Sequence, residues 1–174
     1  MSDLKWLIAR EIPHLRRYAR SLARTPDAAD ELVQETLEKA LRKRAQWRRS
    51  GSVRSWLFTI LYRTHLNSTR DGKPFTNPRD RMDETLAAAD RRVEPTQDAS
   101  LMWRDISQAL DRLPEDQRAA ILLVTLEDLS YDEAASVLGI PVGTLRSRVS
   151  RARDTLRNTM DPAIDAAAPI RRIK

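Results

Sequence analysis

Cysteine is absent from this chain of 174 residues. That excludes a disulfide framework, a thiolate metal site and a cysteine nucleophile. Glycine occurs only 4 times and β-branched runs are few, which argues against an all-β fold. No stretch holds enough consecutive apolar residues to span a bilayer. The N-terminal segment breaks up its apolar residues with Asp3, Lys5, Arg10, Glu11, Arg16, Arg17 and Arg20, unlike a secretory signal. No membrane insertion is expected, and the cytoplasm is the expected location. Histidine appears twice, as His14 in an arginine-rich helical stretch and His65 beside Thr64 and Asn67. Neither is accompanied by a Gly-rich phosphate loop, a Ser/His/Asp set or a metal-ligand cluster. The chain therefore reads as a non-enzyme, with no catalytic residue, no metal and no cofactor.

What is present points to helix. Hydrophobic residues make up 41% and charged residues 32% of the chain, which suits a globular protein with no surplus of core. Alanine, leucine, arginine and glutamate favour helix. The length fits one ordinary domain or two small ones. A net charge of +6 and a pI near 10.1 favour a polyanionic partner, nucleic acid above all. Total charge alone leaves an incidentally basic surface open; its distribution is more telling.

Leu4, Leu7, Ile8, Ile12, Leu15, Tyr18, Ala19 and Leu22 recur at helical steps, with Pro13 a kink or boundary. Thr25-Pro26-Asp27 marks a helix start: a hydroxyl cap, a first-turn proline and an acid at the positive dipole end. The helix that follows carries Ala29, Leu32, Val33, Thr36, Leu37, Ala40 and Leu41 on one face, and Ser50-Gly51-Ser52 breaks it. A third helix packs through Val53, Trp56, Leu57, Ile60, Leu61 and Leu66. From Asp71 to Asp98, prolines and mixed charges without an apolar face predict a flexible tether with one short helix around Met82 to Ala89. A helix using Leu101, Ile106, Leu110 and Leu113 opens the second half, and Pro114 starts another that runs to about Glu127. The tail beyond Met160 reads as loose.

Ser130-Tyr131-Asp132-Glu133 is a capping box. The short helix it starts, with Ala134, Ala135, Val137 and Leu138, stops at Gly139. After Ile140-Pro141 a long helix runs to about Asn158. A short helix, a tight turn and a longer helix form the helix-turn-helix layout. On the last helix Val142, Leu145, Val149, Ala152 and Leu156 share the buried face. Thr144, Ser147 and Arg151 point away from it, Arg148 and Ser150 lie on its shoulders, and Arg146, Arg153 and Arg157 sit nearer the core edge. Between Pro141 and Arg157 five arginines face one acid, Asp154. Arginines and hydroxyls read base edges and clamp phosphates in a major groove. An ordinary solvated face mixes its signs; this one is nearly all arginine.

Three segments together resemble region 4 of extracytoplasmic-function (ECF) sigma factors: Leu113-Pro114-Glu115-Asp116-Gln117-Arg118, Leu129-Ser130-Tyr131-Asp132-Glu133-Ala134-Ala135, and Val142 through Arg153. The resemblance implies binding of the −35 promoter element, with Thr144, Arg146, Ser147, Arg148, Ser150 and Arg151 as the contacting residues. Asp27 through Ala40 similarly resembles region 2 of the same family, at the helix that docks on the clamp helices of the largest subunit of core RNA polymerase. Asp30, Glu31, Gln34, Glu35 and Glu38 form an acidic and amide face there, complementary to a positive partner. Downstream, Arg42, Lys43, Arg44, Arg48, Arg49 and Arg54 occur without an acid, interleaved with or followed by Trp47, Trp56, Phe58 and Tyr62. Basic residues with aromatics suit single-stranded DNA, although the aromatics equally suit a core, Trp56 especially. The resemblance places the loop from Gln46 to Ser52 where a flipped base of the melted −10 strand is captured. It implies Trp47, Arg48, Arg49, Ser52, Arg54, Tyr62, His65 and Asn67 as −10 contacts.

The expected architecture is all-α: a region 2 bundle over residues 1–70, a flexible linker over 71–98, a region 4 helix-turn-helix over 99–160 and a loose tail over 161–174. The expected partners are core RNA polymerase, promoter DNA and an anti-sigma factor. The rivals are a stand-alone helix-turn-helix regulator, for which residues 1–70 offer no pocket or dimerisation heptad, and a sigma mimic, which should lack the basic residues this chain keeps.

Overall fold

A computed structural model describes residues 2–23, 25–47, 52–70 and 106–160. The expected tether, its short helix and the tail lie outside them, as do Leu101, Arg48 and Arg49. The described residues are all-α, with no strand among them.

The N-terminal unit is a bundle of α1 (Ser2–Leu22), α2 (Pro26–Arg42) and α3 (Val53–Arg70), each packed on the other two. Pro13 does not end or divide α1; the helix passes through it. The prolyl ring removes one hydrogen bond and crowds the preceding turn, a cost of about 3 kcal/mol in a helix interior. Ile8 on one side and Leu15, Tyr18, Ala19 and Leu22 on the other are all buried, and this continuous apolar face offsets the penalty. At the start of α2 the Thr25 hydroxyl accepts from the Ala28 amide at 3.2 Å, as the Thr-Pro-Asp sequence predicts. α2 ends before Ser50-Gly51-Ser52, at Arg42, and a short 3₁₀ turn follows over Arg44–Gln46. Ala40 is the last fully buried residue of α2 and Leu41 is exposed. Beyond them the basic run has no apolar face to hold it in helix. The bundle core closes on Tyr18 against Phe58, ring centroids 5.2 Å apart and nearly perpendicular.

The C-terminal unit comprises α4 (described over 106–111), α5 (Glu115–Thr125), α6 (Tyr131–Leu138) and α7 (Val142–Met160). Pro114 caps α5, whose Ala119 to Leu123 are all buried. Both halves of the Ser130/Glu133 capping box are made. Gly139 ends α6 in the left-handed region, φ 65°, where only glycine is unstrained. Its amide and that of Ile140 return to the carbonyls of Ser136 and Ala135 at 3.2 and 3.1 Å. α7 then buries Leu145, Val149 and Ala152 against α5 and α6.

The two units do not stand apart. α1 packs on α5 and α3 packs on α6, so buried residues of both form one continuous core.

Candidate nucleic-acid and polymerase interfaces

On α7 burial and exposure follow helical periodicity. With Leu145, Val149 and Ala152 inward, Thr144, Arg146, Ser147, Ser150 and Arg151 are exposed. The Ser147 hydroxyl bonds back to the Gly143 carbonyl at 3.1 Å. Arg148 differs from its neighbours: three-quarters buried, it turns toward α5 and pairs with Asp116 through Nε at 3.2 Å. Arg153 is also exposed, and Arg157 pairs with Asp154 one turn before it. The result is a column of cations and hydroxyls on one solvent face of a helix whose other face is fixed by packing. Such a column can enter a major groove as a rigid body.

The acidic face of α2 is likewise in the open. Asp30, Glu31, Gln34 and Glu38 are exposed and Glu35 is half-buried. Glu35 pairs with Lys39 at 2.7 Å, Glu38 with Arg42 at 3.8 Å, and Gln34 bonds Glu38 at 3.4 Å. These pairs are surface ones, each worth a few tenths of a kcal/mol, so they hold the face weakly.

The residues assigned to melted −10 DNA are distributed otherwise. Ser52 and Asn67 are exposed. Trp47 is half-buried, its indole Nε1 shielded from solvent and without a partner among the described residues. Arg54 is committed: its Nε donates to Glu11 at 2.7 Å and its Nη1 to the Glu127 carbonyl at 3.3 Å. Tyr62 and His65 are buried. His65 Nε2 lies 2.7 Å from Glu115 Oε1, and burial, acting against that carboxylate, holds the imidazole pKa below its usual value. Burial likewise raises the Tyr62 phenol. Tyr62 and His65 stand three residues apart, and Ser55, one heptad before Tyr62, bonds Glu133 of α6 at 3.3 Å. One face of α3 is thus covered by the C-terminal unit.

The other side of this contact centres on a residue that periodicity did not single out. Glu127, in the α5–α6 turn, is fully buried. Arg17 of α1 grips its carboxylate with Nε to Oε1 at 2.9 Å and Nη2 to Oε2 at 3.1 Å. The same guanidinium donates to the Leu126 carbonyl at 2.7 Å, and His14 Nδ1 lies 3.1 Å from Oε2. The buried Tyr18 hydroxyl donates to the Ala119 carbonyl at 3.2 Å. Asp128, at φ 53°, turns the chain immediately after Glu127. Both histidines therefore sit at the contact between the units. A lone acid at the end of an apolar helix gave no sequence signal, because its partners lie on α1, more than a hundred residues earlier.

Among the described residues no cluster of His, Cys, Asp and Glu could hold a metal ion, and no helix is long and apolar enough to cross a membrane.

Residues 8–62 match the family described as the Sigma2 domain of PhyR, and residues 103–156 match Sigma-70, region 4. The chain is 39% identical over 145 residues to the ECF RNA polymerase sigma factor EcfG of Rhodopseudomonas palustris, covering 83% of this chain and 78% of that one. It is 37% identical over 138 residues to the ECF sigma factor SigC of Mycobacterium tuberculosis, covering 78% and 71%. Among solved structures it resembles the sigma factor RpoE, crystallised with the anti-sigma factor NepR from Bartonella quintana. The TM-score there is 0.74, with 34% identity over 94% of this chain and 99% of that one. These matches span both helical units in their order, and the named ECF sigma factors among them favour neither a stand-alone helix-turn-helix regulator nor a sigma mimic. The chain belongs to the ECF RNA polymerase sigma factors, the transcription initiation factors that direct RNA polymerase to promoters.

Proposed function

We propose that this sigma factor divides its work among three surfaces. The acidic face of α2, with Asp30, Glu31, Gln34, Glu35 and Glu38, docks on basic clamp helices of the polymerase's largest subunit. Thr144, Arg146, Ser147, Ser150 and Arg151 of α7 read the −35 duplex, while Arg148, tied to Asp116, steadies the helix and reaches DNA only if it leaves that partner. Trp47, Arg48, Arg49, Ser52, Arg54, Tyr62, His65 and Asn67 capture the melted −10 strand. Opening DNA costs base stacking, which binding of the separated strand offsets. Residues 1–70 and 99–160 are the two functional units and 71–98 the tether between them. The chain performs no catalysis of its own and acts in the cytoplasm beside the polymerase. An anti-sigma factor is its expected restraint, since the similar RpoE was crystallised with one.

The observation that carries this reading is the α7 column, cationic and hydroxylic on the exposed side and fixed by Leu145, Val149 and Ala152 on the other. Co-sedimentation with bacterial core RNA polymerase is expected to give a stoichiometric complex; a folded sample that gives none refutes the docking surface. With the holoenzyme, promoters selected from a random library define the −35 element. Arg151→Ala then costs about 1–3 kcal/mol of discrimination at one position of that element, with core binding unchanged. An unaltered selected sequence rules out α7 as the reader.

A further inference from the structure

The closed arrangement covers the Arg54, Tyr62 and His65 part of the −10 surface, while Ser52 and Asn67 stay exposed, and leaves most of the −35 surface open. Thr144, Arg146, Ser147, Ser150 and Arg151 of α7 are exposed, whereas Tyr62 and His65 of α3 are buried and Arg54 and Ser55 are bonded to the C-terminal unit. A DNA strand cannot stack on Tyr62 or reach His65 until α3 leaves α6 and the start of α5.

The contact between the units joins buried apolar residues of both, and it also contains the fully buried carboxylate of Glu127 from one unit, neutralised by Arg17 of the other. A buried carboxylate is tolerable only with its partner in place; taking the partner away leaves an uncompensated charge in a medium that solvates it poorly. Separation of the units returns Glu127 to water. The pair therefore acts with the sign of a latch. Intact, with the fork of Arg17 and His14 around the carboxylate, it permits closure; broken, it drives the units apart. Arg17 is 44% exposed, so solvent or a competing anion has access to the latch from outside.

We propose that the Glu127–Arg17 clasp makes the free sigma factor autoinhibited: it holds region 4 over the −10 face of α3, while the −35 face of α7 stays available. Release of the clasp is then the step that uncovers the −10 surface. The inference rests on the assignment of Tyr62, His65 and Arg54 to that surface, and the test separates the two claims.

Because the chain has no cysteine, two can be introduced for dye labels without interference, at Lys43 on the N-terminal unit and Asn158 on α7, both exposed. Single-molecule energy transfer in the full-length chain then reports opening independently of DNA. A short fluorescent single strand of mixed sequence, followed by anisotropy, reports access to α3. In Arg17→Ala the open population is expected to rise by about tenfold or more, and strand affinity to rise with it. Arg17→Lys, which keeps the charge but loses the fork, falls between. The double exchange Arg17→Glu with Glu127→Arg restores the compact state. If Arg17→Ala stays as compact as the parent, the clasp is refuted. If it opens without any gain in strand binding, the −10 assignment of α3 fails, and autoinhibition with it.

Discussion

Single residues here do work that their neighbours cannot take over. Ser130 accepts the Glu133 amide, and the Ser130 amide and hydroxyl in turn hold the Glu133 carboxylate below its ordinary pKa. Ser130→Ala is expected to cost about 1 kcal/mol in urea unfolding. As the folded pKa of Glu133 is depressed, its share of stability is complete above the ordinary value of 4.5 and is lost as pH falls through the lower folded one. Gly139 is a different case. A Cβ there would meet nothing within 4 Å, so Gly139→Ala suffers only the left-handed backbone, about 1–2 kcal/mol. If calorimetry shows Gly139→Ala melting with the parent, backbone strain is the wrong account of the turn.

At the scale of elements, α2 and α7 each separate a buried face from a charged one, with opposite signs. On α2, Leu32, Val33, Thr36 and Ala40 are buried, and Thr36 satisfies its hydroxyl within the helix on the Leu32 carbonyl at 2.7 Å. The carboxylates opposite carry little of the fold. Reversal of Asp30, Glu31 and Glu35 to lysine should therefore leave thermal unfolding within about 1 kcal/mol of the parent while abolishing co-sedimentation with core polymerase. Retained core affinity would remove α2 from the docking surface. On α7, deleting an exposed guanidinium of the proposed −35 surface, as in Arg146→Ala, should shallow the log–log salt dependence of DNA binding by about one unit if it neutralises a phosphate. An unchanged slope places that arginine off the DNA.

At the scale of the whole molecule, the packing of one unit on the other makes stability depend on mild acid. His65 is buried against Glu115 of α5, with Arg118 nearby, and desolvation outweighs the carboxylate. Its folded pKa lies below the ordinary 6.5, so the neutral ring is the form the closed molecule favours. The contribution is whole above that ordinary value and is lost as pH falls through the folded one. The urea midpoint should thus decline as pH falls below the ordinary imidazole value of 6.5 toward the lower folded one. In His65→Gln, which keeps a donor toward Glu115, that decline should flatten. A variant with the parent's slope would show that other groups set it.

Much of this was legible in the amino-acid order because it is governed by neighbours in the chain. The caps at Thr25 and Ser130, the stop at Gly139 and the inward face of α7 all depend on residues within a turn or two, and the structure has them as the sequence predicts. Where periodicity misplaced a boundary, burial had the deciding vote: α1 continues through Pro13 because its apolar face does, and α2 ends at Arg42 because its own does. The helix-turn-helix and the acidic helix likewise carried the family in their local pattern. The sequence alone did not determine which charged residues were free. Arg54, Arg148, His65 and Glu127 look like surface groups in one dimension, and each found its partner across a packing contact. Only the tertiary structure could decide that, since a buried ion pair depends on geometry between segments far apart in the chain, and no periodicity records it.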